Sequence, residues 1–189
     1  MVDVVTQTEK AKYSKMWEFD SYRERSPGLR FLHQALQITQ MPLGASVIDL
    51  GCGTGRVSAA LQSEGYQVTA LDIAANACTE FTGPFVEACL WDLPESLGKF
   101  DFGFCADVME HIPTEKVDAT LENIARHVEF CYFQIANFVC HEGDKIGEHL
   151  HLTVEKMPWW LAKMVDHFTI QTALAQSKHH VFLCKSRAF

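Results

Sequence analysis

Several things missing from the sequence narrow its class. No apolar run reaches the roughly 18 residues that a membrane-crossing helix needs. The opening MVDVVTQTEKAKYSKMW has neither the basic start nor the apolar centre of a secretory signal, so a soluble, cytoplasmic protein is expected. No C-x-x-C pair occurs among Cys52, Cys78, Cys89, Cys105, Cys131, Cys140 and Cys184, which argues against a zinc ribbon or a thioredoxin-like dithiol. Most of these cysteines sit inside apolar runs, as buried free thiols in a reducing compartment do. Lys and Arg form no cluster and the formal net charge is −8; a surface that neutralises duplex DNA phosphates is therefore disfavoured, and a small or weakly charged partner is the default. No repeat, low-complexity stretch or Ser/Pro-rich linker divides the 189 residues, a length that suits one domain.

Strand and helix patterns alternate through most of the chain. Residues 1–27 mix charges with Tyr13, Trp17, Phe19 and Tyr22 and end in the turn Ser26-Pro27-Gly28, which reads as an arm or lid. Apolar residues from Leu29 recur at helical spacing to about Thr39. Strands are expected at 45–50, 66–72, in PFVEACLW, at 100–107 and at 129–138. Helices are expected at Arg56–Glu64, in AANACTEF, after Pro113 with Thr114 as N-cap, and in VEKMPWWLAKMVDHF. FTIQTAL and HHVFLCKSRA would close the chain as a hairpin at the sheet edge. The pattern predicts an α/β three-layer sandwich with a Rossmann-like, seven-stranded, mostly parallel sheet and an antiparallel C-terminal strand. Ligands of such sheets bind beyond the carboxyl ends of the strands.

Between the first strand and its helix runs Val47-Ile48-Asp49-Leu50-Gly51-Cys52-Gly53-Thr54-Gly55. Glycines here permit a tight turn and let a ligand approach the backbone. The spacing is G-x-G-x-G with Arg56 next, so neither the dinucleotide pattern G-x-G-x-x-G nor a P-loop is met. Asp72 ends the second strand, where a carboxylate can accept hydrogen bonds from both hydroxyls of a ribose. Trp91-Asp92-Leu93 follows the third, offering an indole plane and an acceptor for an adenine amine.

These segments resemble the class I S-adenosylmethionine-dependent methyltransferases: VIDLGCGTG is similar to their first motif, LDIA to their second, LWDLP to their adenine-binding turn, and CADVMEHIP to the segment after their fourth strand. The resemblance covers about residues 29–138. It implies S-adenosyl-L-methionine as cofactor. Asp49 would orient the turn and meet the methionine ammonium, Gly51, Cys52, Gly53 and Gly55 would lie against the cofactor, and Asp72 would hold the ribose. Asp92 would take the adenine amine with Trp91 or Ile73 beside the ring, and Asp107 and Val108 would pass the sulfonium end. The chain then methylates a small or conjugated acceptor. A non-catalytic regulatory binder, a nucleic-acid methyltransferase and a nicotinamide oxidoreductase are the rival readings.

Methyl transfer requires in-line alignment and exclusion of water, and oxygen or nitrogen acceptors can need a base. His111 is the first candidate, with Asp107 and Glu110 beside it after the fourth strand. His149 and His151 follow the fifth, in the acceptor-side segment 139–167, and in an extended chain they point to one side. That spacing permits a base or a two-histidine metal site, but no third ligand is fixed and no metal is expected. Tyr22 and Arg23 stand either over the cofactor or an acidic acceptor, or as anchors of the arm.

Overall fold

The computed structural model describes residues 3–25 and 27–189; Ser26 of the expected turn lies outside them. Two arm helices, α1 (Val4–Met16) and α2 (Asp20–Arg23), precede the α/β body. The body runs α3 (Gly28–Thr39), β1 (Ser46–Leu50), α4 (Arg56–Ser63), β2 (Gln67–Asp72), β3 (Phe85–Glu87), β4 (Phe100–Ala106), α5 (Val117–His127), β5 (Val128–Ala136), α6 (Met157–Met164), β6 (Phe168–Ala175) and β7 (His179–Ser186). The sheet order is β3-β2-β1-β4-β5-β7-β6. The first five strands are parallel, and β7 is antiparallel to both of its neighbours.

Two cores flank the sheet because strand side chains alternate between its faces. Val47, Phe102, Phe104 and Tyr132 point to one core, where Leu32 and Ala35 of α3 and Val57 and Leu61 of α4 cover them. Ile48, Leu50, Cys105 and Phe133 point to the other, against Leu121 and Ile124 of α5 and Trp160 and Met164 of α6. All seven cysteines are free thiols, five of them buried. No helix among the described residues is long and apolar enough to cross a membrane.

Three local expectations change, and the expected C-terminal hairpin forms. AANACTEF forms turns, not a helix, because its backbone is engaged elsewhere: Thr79 and Glu80 donate to the Thr54 carbonyl, while Arg23 takes the carbonyls of Asn76 and Ala77. PFVEACLW is a strand only over Phe85–Glu87; β3 is an edge strand pairing with β2 alone, β2 ends at Asp72, and the chain beyond turns at Cys89–Asp92. Thr114 is not the cap of α5, since its hydroxyl pairs with that of Thr153 and a short 3-10 turn intervenes. In the C-terminal hairpin β6 takes the edge and β7 returns between it and β5, which makes the last strand antiparallel.

Candidate active site

The site begins at the turn after β1. Gly51, Gly53 and Gly55 have φ of 72°, 54° and 85°, the left-handed region where a Cβ is strained. The amides of Gly51 and Cys52 both donate to the Leu71 carbonyl, at 2.8 and 2.9 Å, which pins the turn to the end of β2. A Cβ on Gly51 would lie 2.6 Å from Val108 Cγ2, and one on Gly55 would meet Phe81 and Cys78. The glycines therefore admit protein neighbours as well as the turn itself. Gly51, Cys52 and Gly53 line the cavity, whereas Gly55 caps α4 away from it.

Two buried carboxylates flank this turn. Asp72 Oδ2 accepts from the Gly53 amide and Oδ1 from the Ala74 amide, both at 3.0 Å. Each oxygen has a further lone pair, and the residue forms part of the cavity wall. Burial raises its pKa to about 6, against the lowering effect of those amides. Asp49 accepts from Ser58 Oγ at 2.6 Å; burial raises it to about 7, with the Ser58 hydroxyl opposing and the charge of Asp72 adding to the rise.

Two adjoining cavities open here, of about 100 Å³ and about 440 Å³, together within the range of small-molecule sites, roughly 300–1,000 Å³. The smaller is walled by Asp72, Ile73, Leu90, Trp91 and Val108. The larger is walled by Asp49, Gly53, Phe104, Phe138 and His151. They meet at Gly51, Asp107 and His111, under Trp17 and Tyr22 of the arm. Asp107 holds a φ of 53°, which Asp tolerates better than most residues; its amide donates to the Gln134 carbonyl, and its carboxylate lies 3.7 Å from His179 Nε2.

Some expected site residues lie elsewhere. Asp92 is exposed and outside both cavity walls, because the turn at Cys89–Asp92 carries it past the pocket. Trp91 reaches the wall, but its Nε1 is committed to Thr6 Oγ1 at 2.9 Å. Arg23 also leaves the cavity: its guanidinium donates to the Asn76 and Ala77 carbonyls and Thr79 Oγ1, tying α2 to the loop after β2. His149 is exposed and lines neither cavity.

His111 and His151 come together, with ring centroids 4.7 Å apart. Burial lowers the His111 pKa to about 3, and the neighbouring His151 adds to the fall. A ring that binds a proton so weakly is a poor general base. The arm supplies cavity walls as well as a cover. Tyr13 and Trp17 line the smaller cavity, and Tyr13 Oη lies 2.8 Å from His111 Nδ1. Aromatic residues in a segment without core periodicity were the available signal; His179, brought in by the hairpin, left none.

A parallel sheet with a glycine turn after β1, an acidic end on β2 and a cavity beyond the strand ends defines a Rossmann-like α/β protein with the class I methyltransferase fold. Residues 47–129 match the model of the methyltransferase domain family. The chain is 34% identical over 95 residues to the chloroplastic magnesium protoporphyrin IX methyltransferase of Arabidopsis thaliana, covering 46% of this chain and 30% of that one. It is 37% identical over 82 residues to a ubiquinone biosynthesis O-methyltransferase of Xanthomonas axonopodis, covering 38% and 34%. The chain thus spans about a third of the length of these curated relatives. The fold is shared with magnesium protoporphyrin IX methyltransferase from Synechocystis, a structure with bound S-adenosylmethionine: TM-score 0.69, 19% identity, 98% of both chains.

Proposed function

We propose that this chain transfers a methyl group from S-adenosylmethionine to a small-molecule acceptor. The observation that carries the reading is the placement of Asp72: a buried carboxylate, bonded to the glycine turn, with unused acceptor capacity on the wall of a cavity that continues past Gly51 into a second, larger one. When bound, the cofactor supplies an electrophilic methyl group on a sulfonium. Asp72 would accept the ribose hydroxyls, with Ile73 and Trp91 beside the adenine, and Asp49 would face the ammonium end from the larger cavity. The shared wall at Gly51, Asp107 and His111, with Val108 beside it in the smaller cavity, would then border the reacting centre. Trp17 and Tyr22 exclude water above it, which favours charge redistribution at that point.

The acceptor would enter the larger cavity. Phe104 and Phe138 give it apolar walls and His151 a polar one. A compact acceptor fits these short walls, and the formal net charge of −8 opposes tracking along a nucleic-acid backbone. Seven free thiols suit a reducing, cytoplasmic setting. The test is calorimetric titration with S-adenosylmethionine, S-adenosylhomocysteine and a nicotinamide dinucleotide, followed by S-adenosylhomocysteine release across a panel of small acceptors. Selective binding with turnover supports the reading. Nicotinamide binding alone would refute it, and selective binding without turnover on any acceptor would favour a regulatory binder.

Cofactor affinity should depend on pH in a fixed direction. The ribose hydroxyls donate to an ionised Asp72, so association favours the charged form of a group whose pKa is raised to about 6 in the free protein. Binding near pH 6 should release protons, and affinity should fall as pH drops through that value, by up to about tenfold per unit if one proton is involved. Titrations at pH 6 in two buffers of different ionisation heat measure the release; proton uptake, or flat affinity from pH 5.5 to 7.5, would contradict it.

A further inference from the structure

We infer that Glu110, His111 and His151 form a binding site for one divalent transition-metal ion, open toward the acceptor cavity. One carboxylate oxygen of Glu110 and one ring nitrogen of each histidine lie within 4.8 Å of one another. Two imidazoles and a carboxylate around one point, with positions left open, are a donor set suited to ions such as Zn²⁺, Mn²⁺, Fe²⁺ or Co²⁺. Donor atoms about 2 Å from a shared ion stand roughly 3–4 Å apart, so a small inward rotation of these side chains completes the set.

The hydrogen bonds to the two rings leave a lone pair on each free for an ion. His151 Nδ1 lies 2.6 Å from the Phe138 carbonyl and His111 Nδ1 lies 3.0 Å from the Leu150 carbonyl. A carbonyl can only accept, so these contacts favour the tautomer with hydrogen on Nδ1, the Tyr13 hydroxyl 2.8 Å from His111 Nδ1 then accepting from it as well, and Nε2 of each ring keeps the lone pair that an ion would take. Backbone carbonyls holding Nδ1–H in this way are the usual support of metal-ligating histidines. The backbone between them is fixed as well. Leu152 and Thr153 donate their amides to the Glu110 carbonyl at 2.8 and 2.9 Å, and Thr153 Oγ1 donates to the Ile112 carbonyl at 2.7 Å. The segment bearing His151 is thereby clamped over the 3-10 turn Met109–His111.

Glu110 is the observation that a purely structural role leaves unexplained. It is 0% exposed, no hydrogen bond of good geometry reaches its carboxylate oxygens among the described residues, and the acid group beside it is a second buried carboxyl, that of Asp107. A buried carboxyl without a partner is costly, and a cation held jointly with the two histidines would satisfy it. His111 and His151 lie on the wall of the larger cavity while Glu110 lies behind them, so the open coordination positions face the acceptor. This last point rests on the proposed methyl transfer, and it assigns the acceptor to the oxygen-bearing class, because an ion so placed would hold an acceptor oxygen beside the shared wall at Asp107.

Chelator-stripped protein titrated with Co²⁺ tests the site through its visible absorption bands. The parent is expected to take up one ion per chain with bands of mixed nitrogen and oxygen ligation. Glu110→Gln and His151→Ala should each weaken uptake at least about tenfold, while exposed His33→Ala should match the parent. Melting curves for each variant establish that it is folded, and Glu110→Gln keeps the side-chain shape. Absence of saturable uptake, or parent-like affinity in both folded variants, overturns the site. Adding acetohydroxamate should shift the bands; an unchanged spectrum overturns the open, acceptor-facing arrangement. Asp72→Ala separates the two readings, since it should lose S-adenosylhomocysteine binding and keep Co²⁺ uptake; unimpaired S-adenosylhomocysteine binding by that variant would count against the cofactor assignment alone.

Discussion

Asp72→Ala should weaken S-adenosylhomocysteine binding by at least about 100-fold, which corresponds to about 2.7 kcal/mol. Hydrogen bonds to a charged group contribute about 1.5–3 kcal/mol each, and the proposed pose gives Asp72 two of them from the ribose. A second effect acts in the same direction. Asp72 accepts the Gly53 amide, so its removal also loosens the turn that presents Gly51 and Gly53 to the cavity. An opposing effect acts on the free protein: burial already raises the Asp72 pKa to about 6, and deleting a carboxylate that is costly to bury relieves that penalty. The variant should therefore remain folded while losing its ligand. Calorimetry on the folded variant decides the matter, and affinity within about threefold of the parent, less than 1 kcal/mol, would remove Asp72 from the site.

The largest effect on stability is expected at Gly55. Alanine there must hold a φ of 85°, at about 1–2 kcal/mol for an L residue. Its Cβ would also lie 2.7 Å from Phe81 Cβ and 3.2 Å from the Phe81 amide nitrogen. Those atoms belong to a segment whose amides are bound to the Thr54 carbonyl, so they give way only by disturbing the turn, and overpacking of this kind costs about 1–3 kcal/mol. Gly55→Ala should lower stability by about 2–4 kcal/mol, a fall in Tm of roughly 5–12 °C for a chain of this length. Gly65 provides the contrast. Its φ is 96°, yet a Cβ would meet nothing within 4 Å, so Gly65→Ala should show only the backbone cost of about 1–2 kcal/mol. Equal melting shifts in the two variants would show that the contact with Phe81 is not what requires glycine at position 55.

Where sequence and structure agree, the determining interactions are local. Val47 to Gly55 make a strand, a left-handed turn and a helix start in nine consecutive residues, and Asp72 falls at the end of its strand because the apolar run before it stops there. Where they differ, the outcome depends on partners remote in the chain. Asp92 carries an adenine-binding assignment by position, yet one turn bridged between Cys89 and Asp92 moves it out of the cavity wall. Arg23 has the chemistry to grip an anion, but three acceptors from residues 76–79 claim it. His149 and His151 read as a pair, and only His151 meets His111, because the amides of Leu152 and Thr153 are drawn to the Glu110 carbonyl. Tyr13 and Trp17 announce an arm; their place over the cavities follows from packing against Ala74, Ala77 and Ile73.

By itself the sequence determined the alternation of elements, the glycine turn and the carboxylate beyond it, since backbone sterics and the periodicity of apolar residues act over a few neighbouring positions. Tertiary structure alone decided which histidines stand on the cavity wall in front of the buried Glu110 and which arm residues roof the cavity. Those meetings join residues about 40 to 100 positions apart, and a side chain's partners at that range are set by how the sheet and its loops pack, not by the residues beside it in the chain.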